Sequence, residues 1–183
     1  MPDFGCNNGF LSASIQAGTG AEVYATDINI SALQWAAKNY PKVSFIEPDV
    51  AASMQAKFDV IVLCHVLEHV DDCDAMLGDL EPLLSPGGRL IVLVPQERLR
   101  GDLTWHHLVN YSIKHRRFVN PHVRIVRRKN LQEMLSRQGL VMAQHVYINF
   151  FPPFTSQILF WPYAFSLVAS CGRLSETPGE LHP

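Results

Sequence analysis

The sequence predicts an α/β fold: a doubly wound, mostly parallel sheet of seven strands, with helices on both faces and an antiparallel last strand. Two observations predict it. Short apolar runs alternate along the chain with segments whose apolar residues recur at helical spacing. Glycine, asparagine or aspartate follows several of the apolar runs, and in such sheets ligands bind beyond the carboxyl ends of the strands. We therefore expect one α/β domain with a ligand site at that edge.

Composition limits the class of protein. A chain of 183 residues suits a single domain, and 48% hydrophobic with 17% charged residues is typical of a globular one. The net charge of -2 offers no general attraction to nucleic acid, so no nucleic-acid partner is expected. The four cysteines form no Cys-x-x-Cys pair, which favours a reducing, cytoplasmic location over a disulfide framework.

The first three strands are short. The first ends in the loop 3–9 (DFGCNNG), which leads into a helix through Phe10 to Ala17. A second strand, Val23–Thr26, ends at Asp27 and precedes a helix whose predicted buried face is Ile30, Leu33 and Ala37. The third, Val43–Ile46, ends near Asp49.

The later elements are longer. Phe58–Cys64 is almost continuously apolar, as expected of a strand buried on both faces. Two further strands are predicted at Leu90–Val94 and Leu140–Ile148, and Ala164–Cys171 is predicted as the last, antiparallel edge strand. One helical stripe before residue 85 comprises Met76, Leu77, Leu80, Leu83 and Leu84, and the Ser85–Gly88 turn ends it. A second helix passes through Leu131, Met134 and Leu135, opened by the capping pair Asn130 and Glu133 and closed by Gly139.

Three segments that follow strands carry candidate site residues. Glycines in the first loop allow close approach to a ligand, and Asn7 tolerates a left-handed backbone; the alternative is a plain turn. Asp27 could accept hydrogen bonds from both hydroxyls of a ribose, or could cap the next helix. Asp49 could accept from an adenine amino group, or could be a turn residue after Pro48.

Five segments resemble, in order and spacing, the class I S-adenosylmethionine-dependent methyltransferases, which have a Rossmann-like fold. The likeness is greatest to the type 11/12 domains of quinone-biosynthesis and small-molecule O-methyltransferases. The five segments are DFGCNNG, ATDIN, EPDV, FDVIVLCHVLEHV and LSPGGRLIVLVP. The resemblance is strong over residues 3–95 and weaker to about residue 148. It implies one domain, 1–183, with a cofactor-binding half at 1–95 and a substrate-side insert with the C-terminal strands at 96–183.

The resemblance implies where S-adenosylmethionine would bind. Asp27 would hold the ribose with Ile28 against the adenine, and Asp49 and Val50 would frame that ring. The methionine part and its amino end would contact positions in the first loop and after the fourth strand: Asp3, Gly5, Cys6, Asn7, Gly9, Cys64 and His65.

Histidines are the natural candidates for a general base near neutral pH. His65 follows the fourth strand, where the methyl group would emerge. His106 and His107 follow the fifth strand, where the resemblance implies a substrate pocket; their alternative is a surface position. His65 and His69 have the spacing of a metal pair on a helix, but the family pattern explains His69 and no metal is predicted.

The second half carries two features of unusual composition. Residues 103–132 contain no acidic residue, and could receive an anionic substrate or form a solvated face. The aromatic segment 150–165 could line an apolar substrate pocket, contact a membrane surface peripherally, or form core and subunit interface. The oligomeric state is left open. The basic residues of the first feature are Lys114, Arg116, Arg117, Arg124, Arg127, Arg128 and Lys129.

The resemblance implies in-line methyl transfer from a sulfonium to an oxygen, nitrogen or carbon nucleophile, and we expect a small-molecule or lipid-like acceptor that is methylated at oxygen. Two departures from the family pattern stand out: Asn7 replaces a glycine, and Met1-Pro2-Asp3 leaves little room for a first strand. A chain truncated at its beginning is therefore expected, with an inactive methyltransferase-fold partner subunit as the alternative function. A nicotinamide-dependent dehydrogenase is disfavoured because Gly5 and Gly9 do not form the Gly-x-Gly-x-x-Gly loop.

Overall fold

A computed structural model describes residues 1–54, 58–95, 113, 124–148 and 166–174. The strands are β1 Pro2–Phe4, β2 Tyr24–Thr26, β3 Ser44–Phe45, β4 Phe58–Cys64, β5 Leu84–Pro95, β6 Leu140–Ile148 and β7 Ser166–Arg173. The helices are α1 Phe10–Thr19, α2 Ile30–Asn39, α3 Pro48–Ser53, α4 Cys73–Leu80 and α5 Arg128–Arg137, with a 3₁₀ turn at Glu81–Leu83. The predicted bounds of β4 and β6 are confirmed.

The strands form one sheet in the order β3-β2-β1-β4-β5-β7-β6. Strands β1 to β5 pair in parallel, whereas β7 runs antiparallel to both β5 and β6. This confirms the predicted fold class. The chain moves outward from β1 in one direction to β3 and in the other to β4, so the switch point at which such sheets bind ligands lies between β1 and β4.

The core occupies both faces of the sheet. Residues in register on neighbouring strands point to the same face. Asp3 is in register with Ala25 and Val62, while Phe4 is in register with Leu63. The cluster that contains Ala25 and Leu33 of α2 therefore lies on one face, and the larger cluster that contains Leu63 lies on the other with α4 and α5.

Four predictions about elements are wrong in detail. β7 is not an edge strand, because it inserts between β5 and β6 and leaves β6 at the edge. Leu84 is not helical, because it pairs with Phe58 at the start of β5. In α2 the buried residues are Leu33 and Ala36, not Ile30 and Ala37. The physical reason is that Ala36 packs against the turn at Gly9.

The capping pair is the fourth error. Helix α5 begins at Arg128, and its N-cap Arg127 makes no side-chain capping bond, so Asn130 lies inside the first turn. Burial of Leu131 and Leu135, both fully inaccessible, fixes this helix instead of a cap. Gly139 follows the helix with a left-handed backbone, as expected.

Across the described ranges, every helix falls short of the length and apolar character that crossing a bilayer requires.

Candidate active site

A cleft of about 1300 Å³ opens at the carboxyl ends of β1, β2 and β4 and continues along α4. It exceeds the roughly 300–1,000 Å³ of common small-molecule sites. The part beside the loops after β1 and β2 is polar. The part along α4 is mostly apolar. The lining residues are Phe4, Gly5, Asn7, Thr26, Asp27, Ile28, Asn29, Pro48, Ala51, His65, Val66, His69, Val70, Met76, Asp79, Leu80 and Leu83.

The loop between β1 and α1 turns sharply through three left-handed residues. Gly5, Asn7 and Gly9 have φ of 79°, 48° and 74°, so the predicted left-handed backbone of Asn7 is present. The N–H groups of Gly5 and Cys6 both donate to the Thr26 carbonyl, at 2.9 and 3.0 Å. This loop is thereby tied to the end of β2.

Two glycines of this loop pack so closely against neighbouring side chains that a Cβ atom would not fit. A Cβ at Gly5 would lie 2.5 Å from Val66 Cγ2, and one at Gly9 would lie 2.7 Å from the Phe45 ring. Real Cβ atoms do not approach so closely. The glycines therefore allow the loop to pack on β3 and on the segment after β4, which positions Asn7 in the cleft.

Asp27 joins the first loop to the second. Its Oδ2 accepts from the Asn7 N–H at 2.7 Å, and its Oδ1 accepts from the Asn29 N–H at 2.8 Å. The N-cap of α2 is Asn29, whose side chain accepts from the Ala32 N–H, so Asp27 is not the cap. A carboxylate has about four acceptor sites. Asp27 thus retains two for a ligand in the cleft.

Asp3 lies behind this loop, with only 1% of its surface exposed. Its Oδ2 accepts from the Ser12 hydroxyl at 2.6 Å, while its buried Oδ1 has no hydrogen-bond partner. Burial raises the pKa of Asp3 to about 6, the Ser12 bond opposes that rise, and the charge of Asp27 adds to it.

His65 stands at the end of β4 in a strained left-handed conformation, with φ of 55°. Its N–H donates to the Leu93 carbonyl at 3.0 Å, which fixes its backbone to β5. Its Nδ1 lies 3.1 Å from Oε1 of Glu68, a side chain with no exposed surface. A histidine oriented by a carboxylate in this way can act as a general base.

The cleft brings together five of the predicted cofactor-binding residues. They are Gly5, Asn7, Asp27, Ile28 and His65. Ile28 is 91% exposed, so its side chain offers an apolar surface to a ligand.

Six other predicted positions do not line the cleft. Asp49 and Val50 are exposed on α3, whose first turn replaces the predicted end of a strand. Cys6 and Gly9 belong to the first loop but are buried. Asp3 is also buried, and Cys64 precedes His65 at the end of β4.

His106, His107 and the aromatic segment 150–165 lie outside the described residues, as do Lys114, Arg116 and Arg117. The described part of the chain contains no group of three or more side chains suited to a metal ion. His65 and His69 stand in a bend and turn rather than on the helix that a metal pair at this spacing would need.

The thiols near the cleft are poor nucleophiles. Burial raises the pKa of Cys6 to about 12 and that of Cys64 to about 11, and the charge of Asp3 adds to both. All four cysteines of the chain are free.

Sequence reasoning missed two groups of residues. The first is Glu68, whose burial beside His65 has no signature in a single sequence. The second is the apolar part of the cleft. Its residues are helical or follow β4, and their spacing indicates only a core stripe: Val70, Met76, Leu80 and Leu83.

The chain is similar in sequence to known protein families and to curated proteins. A family model described as a methyltransferase domain matches residues 3–145. The ubiquinone biosynthesis O-methyltransferase of Xanthomonas euvesicatoria is 34% identical over 98 residues, covering 49% of this chain and 40% of that protein. Its counterpart in Xylella fastidiosa is 36% identical over 98 residues, covering 49% and 39%. The chain thus spans about two fifths of the length of the curated relatives it matches.

Solved structures show the same fold. Magnesium protoporphyrin IX methyltransferase from Synechocystis, solved with bound SAH, has a TM-score of 0.64 and 23% identity, covering 94% of this chain and 73% of that chain. A TehB-like SAM-dependent methyltransferase from Corynebacterium glutamicum has a TM-score of 0.64 and 17% identity, covering 94% and 78%.

Proposed function

Because the chain belongs to the methyltransferase domain family, we propose that it binds S-adenosylmethionine in the cleft and methylates an oxygen of a small-molecule or lipid-like acceptor. The position of Asp27 carries this proposal. Its carboxylate stands at the end of β2, next to the switch point, with one hydrogen bond on each oxygen and two acceptor sites left. Two ribose hydroxyls would use those sites.

Other residues of the cleft fit the same ligand. The exposed side chain of Ile28 would pack against a purine ring, and the Gly5–Asn7 turn would border the amino acid part. Thr26 also lines the cleft, and its carbonyl accepts from the N–H groups of Gly5 and Cys6, which ties the end of β2 to the first loop. Asp3, Cys6, Gly9 and Cys64 would support the loops of the site from behind the cleft. Asp49 and Val50, between the lining residues Pro48 and Ala51, would frame the adenine ring.

When bound, S-adenosylmethionine supplies a methyl group on a positively charged sulfur, which is already activated for transfer. The protein would then contribute mainly position and the removal of a proton. Of the three histidines predicted as a general base, His65 is the one within the described residues, and it lines the cleft. His106 and His107 remain candidates from the sequence.

The acceptor would occupy the apolar part of the cleft. Val70, Met76, Leu80 and Leu83 line it, which suits a ring or an alkyl chain. The names of the curated relatives support oxygen as the acceptor atom. An aromatic hydroxyl would combine that oxygen with a ring that suits the apolar part of the cleft. We also propose a cytoplasmic location, supported by the four free cysteines, and a peripheral membrane or subunit contact through residues 150–165.

Calorimetric titration with S-adenosylmethionine tests the proposal. Saturable binding, together with transfer of a labelled methyl group to one of a panel of catechols and phenols, is the expected result. Failure to bind at millimolar cofactor would overturn it and favour the inactive partner subunit. Binding without transfer to any oxygen acceptor would overturn the acceptor class alone.

A further inference from the structure

We propose that Glu68 is a positioning residue: it holds His65 in the tautomer with the proton on Nδ1 and so leaves Nε2 to accept the proton of the methyl acceptor. This inference rests on the proposed function, since the base would act on the hydroxyl of an oxygen acceptor. The contact that carries it is the 3.1 Å approach of His65 Nδ1 to Glu68 Oε1. An ionised carboxylate can only accept, so the ring nitrogen facing it is the one that bears the proton.

The burial of Glu68 indicates that this contact is not incidental. Glutamate is almost never fully buried unless it is paired, yet Glu68 has no exposed surface. A buried glutamate could instead fasten a loop by accepting from backbone N–H groups. Glu68 does not, because its Oε2 has no partner and its Oε1 faces His65. Within the described chain, its carboxylate is directed at the histidine.

The segment that carries Glu68 is itself well anchored. Leu67 is completely buried, and its carbonyl accepts from the Cys73 thiol at 3.3 Å. The Glu68 carbonyl accepts from the Arg124 N–H at 3.4 Å, and the Arg124 side chain donates to the Asp71 carbonyl. The carboxylate is therefore presented to His65 from a fixed backbone.

His65 is also held in place, through its own backbone. Its strained backbone is bonded to β5 through the Leu93 carbonyl, and 45% of its side chain is exposed where it lines the cleft. Because Nδ1 faces a fully buried carboxylate, the exposed edge of the ring is the one that carries Nε2. That nitrogen, unprotonated in this tautomer, is the one left to accept a proton in the cleft that His65 lines.

Methyl transfer and proton removal would take place together at the acceptor oxygen. The acceptor oxygen forms a bond to the methyl carbon as the bond between that carbon and sulfur breaks, and the sulfur keeps the electron pair. The hydroxyl proton moves to Nε2 of His65. The resulting imidazolium is stabilised by the negative charge of Glu68, as in other histidine–carboxylate pairs.

Nitrogen-15 spectra of the imidazole rings test the tautomer directly, without cofactor or acceptor. The chain has eight histidines, so the His65 signals are assigned by their loss in His65→Gln. At alkaline pH, where imidazoles are neutral, we expect the His65 proton on Nδ1. In Glu68→Ala it should move predominantly to Nε2, and Glu68→Gln, which keeps an oxygen acceptor of the same size, should restore it in part. Asp71→Asn, a change of exposed charge in the same segment, should leave the tautomer unaltered.

A wild-type His65 with its proton on Nε2 would overturn the inference, even if Glu68→Ala failed to fold. An unaltered tautomer in a folded Glu68→Ala would do the same. Where a catechol acceptor is methylated, Glu68→Ala should lower kcat by about tenfold or more, within the roughly 10²–10⁴-fold contribution of a general base, while KM for S-adenosylmethionine stays within about twofold. The reverse split, with KM raised and kcat kept, would also contradict it. Absence of cofactor binding would overturn the proposed function and leave the tautomer result standing.

Discussion

The backbone N–H of Asn7 donates to Oδ2 of Asp27 across 2.7 Å, and this bond joins the loop after β1 to the loop after β2. The other carboxylate oxygen accepts from Asn29, so one side chain holds two loops at the rim of the cleft. Asp27 therefore has two roles. It organises the polar part of the cleft, and it retains acceptor sites for the ligand that this part would bind.

Replacing Asp27 should weaken cofactor binding. Asp27→Ala is expected to cost about 1.5–3 kcal/mol, the range for hydrogen bonds to charged groups, which is roughly a 10- to 150-fold loss of affinity for S-adenosylmethionine by calorimetry. Asp27→Asn keeps one oxygen acceptor, so its affinity for S-adenosylmethionine should lie between that of the wild type and that of Asp27→Ala. Glu133→Gln on α5 removes the same charge at a residue that does not line the cleft and serves as control. Unchanged affinity in Asp27→Ala would refute the ribose role.

Alanine at two left-handed glycines separates backbone strain from crowding. Gly9 and Gly20 have similar φ of 74° and 69°, but only the Cβ at Gly9 would meet Phe45, at 2.7 Å, while the one at Gly20 has open space. Both substitutions should lower the free energy of unfolding by about 1–2 kcal/mol through the left-handed backbone. Gly9→Ala should cost measurably more in urea denaturation. Equal losses would mean that the Phe45 ring moves aside freely.

The buried Asp3 should make stability depend on pH. Its pKa is raised from 3.8 to about 6, so the folded state binds the proton more tightly than the unfolded state does. Its contribution is then fully present below about pH 3.8 and is lost as the pH rises to about 6.

Asp3→Asn tests this dependence. The amide can still accept from Ser12 and carries no charge, so the variant should be more stable than the wild type at neutral pH, by at most about 3 kcal/mol. The difference should shrink as the pH falls toward 4, as followed by urea unfolding at several pH values. Asp71→Asn, an exposed control, should show no such trend. A wild type that gains stability relative to Asp3→Asn as the pH rises would contradict the raised pKa.

Arg173 should contribute more to the free energy of unfolding than Arg137, although both side chains pair with a carboxylate. Arg173, at the end of β7, contacts Glu81 and also donates to the carbonyls of Glu81, Leu84 and Ser85, all of them partly buried bonds. Arg137 makes a bidentate pair with Asp74 at the surface. Arg173→Met should lower the free energy of unfolding by about 2 kcal/mol or more, because several carbonyls lose a charged donor.

Arg137→Met is the matched control, and its loss should be much smaller because exposed ion pairs contribute little. Thermal unfolding followed by circular dichroism measures both. A loss in Arg137→Met as large as that in Arg173→Met would contradict the expected dependence on burial.

Local sequence patterns were enough to predict the order of the strands, the bounds of β4 and β6, and the place of Asp27 after β2. These follow from local signals: an unbroken apolar run, helical spacing, and a polar residue where a strand stops. The family resemblance likewise came from the order and spacing of five short segments.

Which residues come into contact follows from the folded chain and could not be predicted from local patterns. β7 lies inside the sheet because it pairs with β5 and β6, and nothing local in its sequence distinguishes an inner strand from an edge strand. Asp49 stands on α3, whose Pro48 and Ala51 line the cleft while Asp49 does not, although its sequence context suited a turn at a strand's end. Glu68 is the clearest case. Its sequence context gives no sign of burial, yet the fold buries it against His65, because burial depends on neighbours brought from distant parts of the chain.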